Sequence, residues 1–116
     1  MVHHSNLGGC MYVYLEPARR DEAIRVLQET PGVDEALSRE EAASQFHLPE
    51  DRIGDVVVLG EADTVFGNPA EVELPPGLRS HGSIYETAIP ILGYNGDFAL
   101  FTFDTNRDIG CYVFER

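Results

Sequence analysis

Two hydrophobic periods take turns along the first half of the chain. Cys10, Met11, Tyr12, Val13, Tyr14 and Leu15 form a run of apolar, β-prone residues that predicts a first strand over 10–15. Glu16-Pro17 ends it, and Pro17 suits the opening of a helix because its missing N–H is an orphan there anyway. From 19 to 30 the apolar positions change to helical spacing. Ala23, Ile24 and Leu27 share one face, and Pro31-Gly32 stops the helix. Residues 33–37 are short and mixed, as in an edge strand. Ser38-Arg39-Glu40-Glu41 is a capping box, with Ser38 as N-cap and Glu41 reaching back to it. It opens a second helix that runs to about Phe46 and is closed by Leu48-Pro49. Residues 55–60, with Val56-Val57-Val58-Leu59 at their centre, give the strongest strand signal in the chain. Glu61-Ala62-Asp63 then turns toward 64–66, a predicted hairpin partner.

The second half is punctuated differently. Residues 68–77 are proline-rich and acidic and read as a linker. A polar loop follows, and Ala88-Ile89-Pro90-Ile91-Leu92 closes it as a short apolar segment that Pro90 bars from the middle of a regular ladder. Gly93-Tyr94-Asn95-Gly96 is a turn. Residues 98–103 and 109–114 are two β-type runs around a five-residue loop at 104–108, which predicts a hairpin. Its apolar residues fall on both faces, so something must cover it. The expected fold class is α+β. A small β-α-β-α-β-β unit fills 1–67, and 68–116 carries the linker, the polar loop and a C-terminal β-hairpin packing on the same core.

Charge narrows the partners. The 116 residues hold twenty acidic and eight basic side chains, all eight of them Arg, for a net charge of -12. That balance excludes a basic nucleic-acid-binding surface and disfavours an anionic membrane. It fits either a solvated acidic surface or adaptation to high salt. No apolar run is long enough to span a bilayer, and the start lacks a basic and apolar leader, so the expected location is cytoplasmic. Cys10 and Cys111 have no metal-binding or redox spacing. Two reduced thiols are the preferred reading, with a disulfide between the chain ends as the other.

Arg79-Ser80-His81-Gly82-Ser83, followed by Glu86 and Pro90, is the stretch that suggests chemistry. A lone loop histidine is by itself most often a surface residue. The wording of this loop, however, resembles the last metal-binding loop of the alkaline phosphatase superfamily, where a His-Gly-x-x-x-Glu-x-x-x-Pro pattern delivers a late zinc ligand. Within that superfamily the chain resembles the phosphonoacetate hydrolases, relatives of the nucleotide pyrophosphatases and phosphodiesterases. Leu37-Ser38-Arg39-Glu40-Glu41-Ala42 and Leu48-Pro49-Glu50-Asp51-Arg52-Ile53-Gly54-Asp55 carry the likeness further, into a subdomain inserted before that ligand. The resemblance implies that His81 is a metal ligand, with Gly82, Glu86 and Pro90 as loop support. For Asp51-Arg52 and Gly54-Asp55 the preferred reading is a turn with a local ion pair.

The resemblance also implies what lies elsewhere. The family uses a threonine nucleophile and two zinc ions held by several Asp and His residues upstream of the segment that is matched. His3, His4 and His47 are the other histidines of this chain, and they make no replacement cluster. Thr87 is not a credible nucleophile, because no base or metal can be set beside it. The expected role is therefore the C-terminal portion of a zinc-dependent hydrolase, supplying one ligand and inactive alone. No cofactor is expected on this chain by itself, and the expected partner is the missing catalytic part or a second copy. The alternative is a stand-alone, non-catalytic α+β module that acts through protein association.

Overall fold

Val56–Gly60 (β3) is buried along its whole length. The computed structural model, which describes residues 8–67, 81–99 and 101–114, shows why. Cys10–Val13 (β1) and Val33–Ser38 (β2) flank β3 on either side, both antiparallel, so the sheet order is β1-β3-β2. A helix then covers each face. Arg20–Gln28 (α1), entered through a 3-10 turn at Pro17–Arg19, packs on one side with Ile24 and Leu27 against Val56 and Val58. Arg39–Phe46 (α2) packs on the other, where Ala42 and Phe46 meet Ile53, Val57 and Leu59. Alternate β3 side chains thus feed two different cores, so this strand is continuously apolar instead of alternating. Each buried valine contributes roughly 1.5–3 kcal/mol of transfer free energy. The class is α+β, as the periodicity implies.

The capping box forms as its sequence requires. Ser38 Oγ accepts from Glu41 N at 3.3 Å, and Glu41 Oε2 accepts from Ser38 N at 2.9 Å. At the far end His47 takes the left-handed conformation, with φ 54°, and stays exposed. Asp55 ties three segments together. Its carboxylate pairs with Arg39 Nη2 at 2.7 Å and accepts from Leu15 N at 2.9 Å, while its carbonyl accepts from Arg39 N. The ion pair is thus not local to its turn: it joins the start of β3 to the start of α2, sixteen residues away. Gly54 before it is buried where a Cβ would lie 2.9 Å from Tyr12 Cβ and from Val13 O.

Two expected hairpins do not form among the described residues. Residues 64–66 cannot be a hairpin partner of β3, because β1 and β2 already occupy both of its edges. Thr64 N closes a turn on Glu61 O, and Phe66 instead bridges Gly8. The C-terminal hairpin is replaced by a helix, Asn106–Phe114 (α3). Thr105-Asn106-Arg107-Asp108 acts as its start signal: Asp108 Oδ2 accepts from Thr105 N at 2.7 Å, from Thr105 Oγ1 and from Asp104 N. In the helix Ile109, Tyr112 and Val113 share a face, at helical spacing. Tyr112 joins Phe98, Phe101 and Phe103 in an aromatic cluster, with the Phe101 and Tyr112 rings edge-to-face at 4.6 Å. Among the described residues α3 touches no other helix or strand, and no helix is long and apolar enough to cross a membrane. The expected linker at 68–77 and the His3-His4 pair lie outside the described residues.

Candidate metal-ligand loop

The loop at 81–86 is fastened to the sheet by its backbone first. Gly8 sits between two partners, bridging Phe66 on one side and His81 on the other, and Gly9 N donates to His81 O at 2.8 Å. The Gly8-Gly9 pair makes this approach possible. Gly9 is buried, and a Cβ there would come within 2.6 Å of Ser83 Cβ. Gly82 turns the chain with φ 84°, a conformation glycine adopts without strain. Ile84 then drops into the α2-side core, against the group formed by Ala42, Ile53, Val57 and Leu59.

The loop's polar groups are also spent internally. Glu86 Oε2 accepts from Ser83 N at 3.0 Å, and Ser83 Oγ accepts from Tyr85 N at 3.0 Å. Tyr85 reaches across the molecule and donates from its hydroxyl to Asp34 Oδ2 at 2.8 Å. Asp34 is the extra residue of a β-bulge in β2: Val33 faces Gly60 and Glu35 faces Leu59, leaving Asp34 outside the register. The phenol of Tyr85 is held above its ordinary value, first by this hydrogen bond to a carboxylate, then by partial desolvation and by the negative charges of Asp34, Glu61 and Glu35.

His81 itself is exposed at the mouth of a cavity of about 340 Å³, lined also by Gly8, Cys10, Met11, Phe66 and Gly82. Cys10 is half-buried there, and burial pushes its thiol up, which works against a thiolate ligand. Cys10 and Cys111 are both free thiols. Of the expected support residues, Gly82 and Glu86 shape the turn that carries His81. Pro90 lies apart, on an apolar groove with Leu92, Phe98 and Ile109. Sequence reasoning missed Gly9, Asp34 and Tyr85. The Gly-Gly dipeptide was a signal for close backbone approach, but nothing local links Asp34 to a tyrosine 51 positions away.

A catalytic zinc needs about three protein ligands with one position open. Among the described residues no group of three or more His, Cys, Asp or Glu side chains is placed to hold a metal. The residues here therefore do not fit a complete zinc centre. What they present is one exposed histidine at a cavity, on a braced loop.

No family model matches the chain. Among solved structures it is similar to phosphonoacetate hydrolase from Sinorhizobium meliloti 1021. In the complex of that enzyme with phosphonoformate the identity is 38%, over 67% of this chain and 20% of that one, with a TM-score of 0.59. In its complex with phosphonoacetate the identity is again 38%, over 68% and 20%, with a TM-score of 0.60. The resemblance read from the Leu48-to-Asp55 wording and the histidine loop holds, and it is a resemblance to a hydrolase. The chain spans about a fifth of the length of the enzyme it matches, at 20%.

Proposed function

We propose that this chain is the portion of a zinc-dependent, phosphonoacetate hydrolase-like or phosphodiesterase-like hydrolase that supplies one metal ligand, His81, and that it is inactive by itself. The observation that carries the reading is the loop. Its histidine is exposed at a cavity while its backbone, its glycines and Ile84 are committed to the sheet and core, which is how a ligand is held on a rigid scaffold. The identity to a phosphonoacetate hydrolase supports a small phosphonate as the substrate of the whole enzyme. Bound zinc in such an enzyme would polarise the phosphoryl oxygens and stabilise the charge that develops on them. This chain's own part is to hold an imidazole nitrogen at a fixed point.

A chimaera tests the reading. The segment of the Sinorhizobium meliloti enzyme that this chain matches is replaced by the chain. The chimaera should release phosphate from phosphonoacetate, and His81→Ala should cut that rate and the zinc retained after dialysis by more than about a hundredfold. The 116-residue chain alone should do neither. One tightly held zinc per isolated chain, or an unaffected His81→Ala chimaera, would overturn it.

A further inference from the structure

We infer that Tyr85 and Asp34 form a latch that sets the position of His81, making them positioning residues for the proposed ligand; the inference rests on the metal-ligand reading. Two fastenings hold the loop at 81–86 near its histidine, Gly9 N to His81 O at 2.8 Å and Ile84 in the core. Both act on backbone or on an apolar side chain, and neither fixes how the loop is rotated about the line joining them. The Tyr85 hydroxyl supplies the third point, at 2.8 Å from Asp34 Oδ2, on the opposite edge strand from β1. Three points that are not in line define an orientation.

The bulge in β2 gives the latch its partner. A bulge re-aims the side chain of the extra residue away from the regular alternation of the strand. Here the extra residue is Asp34, and its carboxylate is the acceptor that Tyr85 meets. Ser83 adds to the pin from within, since its hydroxyl accepts from Tyr85 N and its Cβ leaves no room beside Gly9. The sheet therefore holds the loop from both edges, through Gly9 just ahead of β1 and through Asp34 of β2.

Amide hydrogen exchange on the 116-residue chain tests the latch. The reporter is Gly9 N–H, which is bonded to His81 O. Tyr85→Phe and Asp34→Ala should each speed its exchange about fivefold, the scale of one ordinary hydrogen bond, while Val57 and Val58 amides stay as they were. Asp34→Asn keeps an acceptor and should restore wild-type exchange. In the chimaera, Tyr85→Phe should weaken zinc affinity by about tenfold and Asp34→Asn should not. Unchanged Gly9 exchange in Tyr85→Phe, or equal acceleration at Val57, would overturn the latch. A His81→Ala chimaera that keeps its zinc would remove the metal reading instead, and Gly9 exchange would still report on the latch.

Discussion

Asp55 and Gly54 hold together segments that the chain keeps far apart. Gly54 lets β3 begin within contact of Tyr12 and Val13, and a methyl group there meets β1 backbone at 2.9 Å. Gly54→Ala should destabilise the fold by about 1–3 kcal/mol through overpacking. Asp55→Ala removes the partner of Arg39 and strips Leu15 N of its acceptor, and should cost about 2–3 kcal/mol, since both bonds are charge-assisted and partly buried. Urea denaturation checks both: the midpoint should fall while the slope stays constant. The Ile-Gly-Asp wording that carried the resemblance at these positions is thus accounted for by packing and hydrogen bonding. It was legible as a pattern, but its role was not, because Arg39 and Leu15 are neighbours of Asp55 only after folding.

Local signals named most elements and failed where a neighbour overrode them. The capping box at Ser38 was readable because all its parts lie within four residues. The same grammar stands at Thr105 to Asp108, but the β-prone residues on either side of it made it look like a hairpin loop. The hairpin at 64–66 failed for a non-local reason, since no stretch of sequence says that both edges of β3 are taken. Around the candidate loop, the turn at Gly82 was legible from the loop's wording, whereas Tyr85 and Asp34 meet only through a bulge. The helical reading of α3 can be checked directly. Gly110 lies inside the helix with open space where its Cβ would be. Gly110→Ala should raise helicity at 222 nm and local stability by about 0.5–1 kcal/mol; in a hairpin it would not. The cap also carries a pH signature. Hydrogen bonds from Thr105 hold the Asp108 carboxyl below its ordinary 3.8, and bonds with Ser38 hold Glu41 below its ordinary 4.5. A depressed folded-state value stabilises above the unfolded value and is lost as pH falls through the folded one. Helicity should therefore drop on acidification below those values, and Asp108→Asn should remove the part that belongs to α3.

At the scale of the whole molecule two facts dominate, the charge and the order of the strands. Ion pairs engage Arg19, Arg20, Arg25 and Arg39, yet twenty carboxylates face eight arginines. Raising salt from about 0.1 M to about 1 M shortens the screening length from roughly 10 Å to roughly 3 Å, so self-repulsion should fade. The thermal midpoint in KCl should climb, with most of the gain below about 0.5 M, where salting-out is still weak. A flat midpoint over that range would leave the acidity as a solubility feature. The strand order has a different consequence. The last strand of the sheet to be synthesised is the central one, and both helices pack on it. As the chain leaves a ribosome, β1, α1, β2 and α2 all emerge with no floor to settle on. β1 and β2 have no strand to pair with, and the helices cannot complete their apolar packing, until Gly60 has cleared the exit tunnel. A nascent chain stalled a few residues short of that point should be open to protease between β1 and α2, and one stalled a few residues beyond it should be protected there.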